Sequence, residues 1–169
     1  MPSDLQIRAA VPADASSIAA IYAPHVLYGT VSFEVEPPSA EEILRRRAAI
    51  LEAGLPYLVA ETGGAIAGYA YASRFRPRPA YRFTVENSVY VLDQYQRRGI
   101  ARLLMEELIR QCVQLGIREM IAVIATPATS TASIALHWSL GFREAGVLHG
   151  VGEKFGEPLD VLMMQKSLR

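Results

Sequence analysis

The spacing of apolar and polar side chains predicts that strands and helices follow one another in a mixed order. Between residues 98 and 115, apolar side chains recur every three or four positions, which is typical of one face of an amphipathic helix. The members of that stripe are Ile100, Leu104, Leu108, Cys112 and Leu115. Residues 119–126 form instead a β-branched apolar run, which is typical of a strand buried on both faces.

The rest of the chain extends this pattern to the element order β-α-α-β-β-β-α-β-α-β-β. Further strands are predicted at 5–9, 56–61, 65–73, 84–92, 146–151 and 159–165, and further helices from 14, from 39 and at 130–140. Pro24 is expected to end or kink the first helix, and Ser39 to open the second through a capping box. No repeat or linker divides the sequence, so residues 1–169 are expected to form one domain of the α/β (α+β) class.

The composition argues against several classes of protein. The 169 residues carry 17 basic and 17 acidic side chains, so no overall field favours nucleic acid or an anionic membrane. The single cysteine, Cys112, permits no intramolecular disulfide and no cysteine-based zinc site, and it is expected in the core. The three histidines lack the spacing of metal ligands, so no metal is expected.

Targeting signals are also not expected. Residues 1–17 are polar and do not resemble a signal peptide. The longest apolar run, near 120–125, is too short to span a bilayer. A soluble protein of a reducing compartment, the cytoplasm, is therefore expected.

A first candidate for chemistry is the sequence QRRGIA at 96–101, between a predicted strand and a long helix. Backbone N–H groups at a helix N-terminus are unpaired and favour an anion, and a glycine lets a ligand approach closely. The segment lacks the further glycines and the lysine of nucleotide-binding loops. A pyrophosphate could bind here, although the segment alone is explained more simply as a solvated helix start.

The strand just upstream carries a carboxylate near its middle. Alternation places Glu86 on one face with Ser88 and Tyr90, and Asn87 on the other. Burying a carboxylate is costly unless it is paired or catalytic. Glu86 therefore lies on an open face, forms an ion pair with an arginine of residues 74–82, or lines a cleft, and the segment alone does not decide among these.

A third candidate is His137, which shares a predicted helix face with Ser133. Imidazole exchanges a proton near neutral pH, although a lone histidine is more often a partly buried side chain with local hydrogen bonds. Trp138 and Phe142 are expected in the core in either case.

Together and in this order, the segments resemble the GNAT superfamily of acyl-CoA-dependent N-acyltransferases. The matching motifs are V-Y-V at 89–91, Q-x-x-G-x-A at 96–101 and L-H-x-x-x-G-F at 136–142. Three further motifs, V-S-F-E at 31–34, T-V-E at 84–86 and V-G-E-K-F-G at 151–156, are similar to the phosphinothricin / methionine sulfoximine acetyltransferase family. The resemblance implies a mixed, mostly antiparallel sheet of about seven strands flanked by about four helices.

For the cofactor, the resemblance implies acetyl-CoA and no metal. Its pantetheine arm is expected beside the strand at 89–91, and its pyrophosphate on the segment 97–102. The implied contacts are Val89, Tyr90, Val91, Arg97, Arg98, Gly99, Ile100, Ala101, Arg102, Ser130 and Ser133. Members of the superfamily often carry asparagine where this chain has Ser130, so the sequence departs from the pattern there.

The resemblance also implies direct transfer of the acetyl group to the α-amino group of a small L-amino acid or analogue, such as methionine sulfoximine, methionine sulfone or phosphinothricin. Because an amine is mostly protonated at neutral pH, a base must take a proton. Glu86 is expected to be that base, and His137 the acid that protonates the thiolate. The remaining expected acceptor contacts are Arg76, Arg78 and Arg82 at the carboxylate, and Asn87 and Ser88 near the amine.

Two alternatives stay open at the level of the sequence. One is a GNAT enzyme that acts on a peptide N-terminus, a lysine or another amine. The other is a domain that binds acyl-CoA without turnover. The resemblance further implies a homodimer. From the balanced charge, no nucleic-acid or membrane partner is expected.

Overall fold

The structure, a computed structural model, describes residues 4–126 and 131–169. The strands are β1 (Gln6–Ala9), β2 (Tyr57–Thr62), β3 (Ala65–Arg74), β4 (Thr84–Val91), β5 (Glu119–Ala125), β6 (Arg143–Lys154) and β7 (Glu157–Ser167). The α-helices are α1 (Ala15–Leu27), α2 (Ala40–Glu52), α3 (Ile100–Gln114) and α4 (Thr131–Ser139). The predicted element order is confirmed.

All seven strands belong to one sheet, in the order β1-β2-β3-β4-β5-β7-β6. Neighbouring strands are antiparallel except β4 and β5, which are parallel. This confirms the expected mixed, mostly antiparallel sheet with helices on its faces.

Two apolar clusters lie on the two faces of the sheet. One contains the buried side of α1 and the tyrosines of β2 and β3, with Ile18, Tyr57 and Tyr69 among its members. The other contains the apolar stripe of α3 and the residues it covers, such as Leu104 and Cys112, which is fully buried. Burial raises the pKa of the Cys112 thiol to about 12, as expected for a core residue rather than a nucleophile.

Helix α1 continues through Pro24 to Leu27, so the proline, which was expected to end or kink the helix, does not end it. The missing N–H of a proline removes one helical hydrogen bond. The last turn still closes, because Tyr28 N–H donates to the Pro24 carbonyl at 2.9 Å. Val26, only 1% exposed, holds that turn against the core.

Helix α2 begins where the capping pattern predicts. The Ser39 Oγ accepts a hydrogen bond from Glu42 N–H at 3.1 Å, which satisfies one donor of the first turn. The Glu42 carboxylate accepts from Arg46 Nε at 2.8 Å, so it serves an ion pair on the helix surface.

The closing hairpin differs most from its prediction. Strand β6 spans twelve residues instead of six, with irregular pairing between Leu148 and Gly152. The Gly150 N–H donates there to Asp160 Oδ1 at 2.8 Å. These irregularities interrupt the period-two alternation from which strands are recognised.

Trp138 was expected in the core but lies at the surface. It is 45% exposed, whereas Phe142 is fully buried as expected. The Arg143 guanidinium lies 5.1 Å from the Trp138 ring centre. The buried position of this helical turn is occupied by His137 instead.

None of the helices in the described ranges is long and apolar enough to cross a membrane.

Candidate active site

A cavity of about 1000 Å³ lies where β4 and β5 separate. The two strands pair only from Thr84 to Glu86 on the β4 side, with Ile121 as the last partner on β5. Beyond that point β4 continues to Val91 with β3 as its strand partner. The backbone edge of β4 therefore borders the cavity and can pair with an extended ligand as a further strand would.

The start of α3 forms one end of the cavity. Its N-cap, Gly99, has a φ of +79° and provides no side-chain cap, and Arg97 also has a positive φ of 57°. The first helical bond runs from Leu103 N–H to the Gly99 carbonyl. The preceding N–H groups, at residues 100–102, therefore lie at a positive helix end beside the cavity, where a diphosphate fits.

The predicted cofactor contacts are placed as follows. Of the predicted contacts, nine line the cavity: Val89, Tyr90, Val91, Arg97, Gly99, Ile100, Ala101, Arg102 and Ser133. Arg98 is not among them, and its guanidinium lies 5.6 Å from the Tyr95 ring centre. Arg102 donates to Ser139 Oγ at 2.6 Å and thereby joins α3 to α4. Ser130 lies outside the described residues.

Glu86 lies half-buried on the cavity wall. It makes no hydrogen bond or ion pair with any residue in the described part of the chain, so the possible ion pair with the arginines at 74–82 is not formed there. Burial raises the pKa of its carboxyl above the usual value. An ionised carboxylate that is partly desolvated and unpaired is a stronger base than an exposed one.

The neighbours of Glu86 on this face are tyrosines and a serine. Ser88, two residues on, lines the cavity and lies opposite Tyr71 in the pairing of β4 with β3. Tyr71, Tyr90 and Tyr22 also line the cavity. The Tyr22 and Tyr90 rings meet edge to face at 5.0 Å, so this wall is aromatic and rigid.

Asn87, which was expected near the acceptor amine, also lines the cavity but does not share the face of Glu86. It faces the opposite side of β4, where it is 6% exposed. Its Nδ2 donates to the Ile121 carbonyl at 3.0 Å, at the last paired residue of β5. Its Oδ1 lies 3.0 Å from His137 Nε2. Asn87 therefore closes the base of the fork between β4 and β5.

His137 is 3% exposed and packs edge to face against Phe142. Its Nδ1 lies 2.8 Å from the Ser133 carbonyl oxygen, and its Nε2 faces Asn87. Both ring nitrogens thus face acceptor oxygens, an arrangement that only the doubly protonated ring satisfies in full. Burial acts in the opposite direction and lowers the pKa of His137, while the Ser133 carbonyl favours the charged form.

The expected carboxylate clamp is not assembled in the cavity. Arg76, Arg78 and Arg82 are exposed and are not among the described lining residues. The Arg76 guanidinium lies 5.1 Å from the Phe75 ring centre, and that of Arg82 lies 4.4 Å from Phe83. They belong to the loop that connects β3 to β4, next to the cavity.

Several lining residues were not predicted from the sequence. The cavity wall also includes His25, Ser32, Phe33 and Glu34. The V-S-F-E motif at 31–34 marked three of them without indicating a role. His25 carried no such signal; its ring lies 5.2 Å from that of Tyr90, and burial lowers its pKa.

No group of three metal-ligating side chains is found among residues 4–126 and 131–169.

The comparisons with known proteins agree with this geometry. Residues 7–163 match the Acetyltransferase (GNAT) domain family. A phosphinothricin N-acetyltransferase of Alcaligenes faecalis is 48% identical over 155 residues, which cover 92% of this chain and 78% of that protein. An L-methionine sulfoximine/L-methionine sulfone acetyltransferase of Salmonella typhimurium is 36% identical, over 97% of this chain and 95% of that protein.

A solved structure from Sinorhizobium meliloti shares the fold. It is described as a GNAT superfamily phosphinothricin acetyltransferase in complex with acetyl-CoA. It is 44% identical with a TM-score of 0.91, over 96% of this chain and 88% of that one. The forked strands, the helix start beside them and these matches over nearly the whole length agree, and the chain belongs to the GNAT family of acetyltransferases.

Proposed function

We propose that this protein acetylates the α-amino group of a small free L-amino acid or analogue, with acetyl-CoA as the donor and Glu86 as the general base. Methionine sulfoximine, methionine sulfone and phosphinothricin are the proposed acceptors, since relatives carry those names. One observation carries the proposal. Glu86 is an unpaired, half-buried carboxylate on the cavity wall beside the free edge of β4.

The residues of the cavity fit acetyl-CoA. The N–H groups at the start of α3 and the Arg97 side chain would hold its diphosphate. The edge of β4 from Val89 to Val91 would pair with its pantetheine arm. Bound in this way, acetyl-CoA supplies an acetyl thioester as the electrophile.

The transfer forms one bond, breaks one bond and moves protons between the acceptor, the protein and the thiolate. A nitrogen–carbon bond forms between the acceptor amine and the acetyl carbon, and the carbon–sulfur bond breaks. The acceptor ammonium loses two protons on becoming the amide nitrogen. Glu86 takes the one whose loss makes the amine nucleophilic, directly or through one water, and the second passes to solvent water once the nitrogen–carbon bond has formed. A backbone N–H near Tyr90 or Val91 stabilises the charge that develops on the acetyl oxygen. The thiolate is protonated to give free CoA.

His137 is the proposed donor of that last proton. A neutral imidazole would have to become an anion to act as an acid, so the acid must be the doubly protonated ring. The two oxygens that face the ring, those of Asn87 and Ser133, favour that form against the effect of burial.

For the acceptor carboxylate, we propose the loop arginines Arg76, Arg78 and Arg82. Among the described lining residues, Arg97 and Arg102 are the only arginines or lysines, and they lie at the proposed cofactor end. The arginine loop begins close to the base, because Ser73 of β3 pairs with Glu86. A cation from this loop therefore reaches the acceptor end most directly.

We also propose a homodimer, located in the cytoplasm. Strand β6 is an edge strand of the sheet, and it exposes Val147 and Leu148. A long apolar edge strand is a template for pairing with another chain. Sedimentation of the wild type and of Leu148→Glu measures the oligomeric state. A monomeric wild type would contradict the proposed dimer.

The function is tested by CoA release with methionine sulfoximine, methionine sulfone, phosphinothricin, the common L-amino acids and a short peptide. Turnover on a free amino acid, with none on the peptide, supports the proposal. Turnover on the peptide alone would identify a peptide acetyltransferase. Binding of acetyl-CoA with no turnover on any amine would identify a non-catalytic acyl-CoA-binding domain.

A further inference from the structure

Residues 28–39, called here the strap, connect α1 to α2 without helix or strand, yet hydrogen bonds hold their centre firmly. The Ser32 Oγ lies 2.5 Å from Tyr22 Oη and accepts from Glu34 N–H at 3.1 Å. Arg46 of α2 holds the Glu34 carboxylate with two bonds of 2.6 and 3.0 Å. These hydrogen bonds tie the centre of the strap to α1 and α2, although loops usually have fewer such restraints. The strap therefore forms a fixed part of the cavity wall.

Strand β6 fixes the strap from the other side. The Lys154 Nζ donates to the Ser32 carbonyl at 2.9 Å, although the two residues are 122 positions apart. Lys154 is only 5% exposed, and burial lowers the pKa of its ammonium while Glu34 acts against that shift. A lysine is rarely buried unless its ammonium is paired, and here it is used to anchor one carbonyl of the strap.

Phe33, between these anchored residues, lies against Gly152 of β6. A Cβ at position 152 would lie 2.3 Å from Phe33 Cε2 and 2.6 Å from its Cζ. No side chain fits at that distance, so the ring position requires the glycine. The ring is 44% exposed and lines the same cavity as Glu86.

The geometry points to Phe33 as the residue that determines which acceptor side chains fit. We propose that its ring touches the acceptor side chain and limits its length, and that Gly152 and Lys154 hold the ring in that position. The wall at Phe33 is suited to the apolar part of an acceptor side chain, because Phe33 and Val31 are apolar and Glu34 is already neutralised by Arg46. This inference rests on the proposed amino-acid acetyltransferase function and specifies its acceptor.

The test is the kcat/KM of the wild type and of Phe33→Ala over L-alanine, L-2-aminobutyrate, L-norvaline, L-norleucine and L-methionine. Phe33→Ala is expected to favour the longer side chains over the shorter ones by about tenfold relative to the wild type, as for one methylene in an apolar pocket. The KM for acetyl-CoA is expected to stay unchanged. Val35→Ala, in the same strap, 73% exposed and outside the cavity lining, is the matched control.

Gly152→Ala tests the contact beneath the ring, with Val151→Ala as its exposed neighbour control. It is expected to change the length profile when Phe33 is present and to leave it unchanged in the Phe33→Ala background. If Gly152→Ala alone does not fold, the double variant is expected to fold, because the clash has been removed.

The outcomes separate the two proposals. If the wild type is active and Phe33→Ala lowers every acceptor equally, or behaves like Val35→Ala, the assignment of Phe33 is wrong and the function stands. If the wild type binds acetyl-CoA and acetylates no free amino acid, the proposed function is wrong and the assignment of Phe33 falls with it.

Discussion

The carboxylate of Glu86 and the imidazole of His137 lie on opposite sides of strand β4. Glu86 projects toward the tyrosines on the α1 side, and the next residue, Asn87, projects toward His137 on α4. A base and an acid in direct contact would exchange their proton with each other. Their separation by a strand is what the proposed mechanism requires, in which Glu86 takes a proton from the amine and His137 delivers a proton to the sulfur.

The first prediction concerns the base. Glu86→Gln keeps the size of the side chain and removes its basicity, so kcat/KM for the acceptor is expected to fall by about 10²–10⁴-fold. Acetyl-CoA affinity, measured by calorimetry, is expected to stay within about twofold. Glu52→Gln, an exposed carboxylate at the end of α2, is the matched control and should have wild-type activity. A loss of less than about fivefold in Glu86→Gln would contradict general-base catalysis by Glu86.

Glu86→Gln is expected to leave the stability of the protein unchanged or to raise it, although it lowers the activity. Burial raises the pKa of Glu86, so the folded state binds its proton more tightly than the unfolded state does. The carboxyl therefore favours folding at low pH and opposes it as pH rises through the raised pKa. At pH 7, Glu86→Gln is expected to melt at the same temperature as the wild type or higher. Lower melting would indicate that Glu86 has a stabilising partner.

The same pKa predicts the pH dependence of the reaction. The base acts only when ionised, so kcat/KM is expected to decline as pH falls through the pKa of Glu86. Because that pKa is raised from 4.5, the decline should begin at a higher pH than for an exposed glutamate. Measurement of kcat/KM between pH 4 and 8 shows this acidic decline. The decline should be absent from the residual activity of Glu86→Gln.

The helices and most strands could be predicted from sequence because each rests on a local pattern. The apolar stripe of α3 and the β-branched run of β5 each indicate one element, and both elements are confirmed. Leu115, which was assigned to the stripe, lies beyond the last residue of α3 and is 52% exposed. The alternation of β4 correctly separated Glu86 from Asn87. The pattern could not show what lies on each side of the strand, such as the contact between Asn87 and His137.

The acceptor end could not be predicted because its contacts join distant parts of the chain. Lys154 and Ser32, or Phe33 and Gly152, meet only after β6 has taken its place at the sheet edge. Neither pair has a periodic signal in the sequence. The resemblance to a known family identified the motifs at 31–34 and 151–156, which contain these residues, but it did not show that the two motifs are in contact.

A second pair of residues, Asn87 and His137, is expected to be energetically coupled. Asn87→Ala leaves the Ile121 carbonyl and one ring nitrogen without partners in a buried site, which costs about 1–3 kcal/mol. Chemical denaturation of Asn87→Ala, His137→Ala and the double variant measures the coupling. Strict additivity would contradict a direct contact. Thr84→Ala, on the same strand and half-buried, is the control.

Asn87→Asp tests the role of His137 as an acid. A carboxylate 3.0 Å from Nε2 favours the doubly protonated ring, so the pKa of His137 is expected to rise. The pH at which activity declines on the alkaline side should rise with it, because the acid must be protonated. NMR titration of the ring measures the pKa directly. A raised ring pKa with an unchanged alkaline limb would exclude His137 as the proton donor.

The arginine loop is expected to affect acceptor binding alone. Arg76→Ala and Arg82→Ala are each expected to raise the acceptor KM by about tenfold, as for the loss of a charge-assisted hydrogen bond worth about 1.5–3 kcal/mol. The KM for acetyl-CoA should not change. Arg110→Ala, on the exposed side of α3 and paired with Glu107, controls for the loss of a surface charge. Unchanged acceptor KM values in both loop variants would exclude the clamp.

The proposal that the start of α3 holds the diphosphate can be tested with two glycines at opposite ends of the helix. Gly99 and Gly116 have φ angles of +79° and +75°, so alanine is strained at both by about 1–2 kcal/mol. Gly99→Ala and Gly116→Ala should therefore lose similar stability in chemical denaturation. Only Gly99 borders the cavity, so only Gly99→Ala is expected to raise the KM for acetyl-CoA, because its methyl group intrudes where the diphosphate approaches the backbone. Equal KM values in the two variants would mean that the cofactor does not contact this turn.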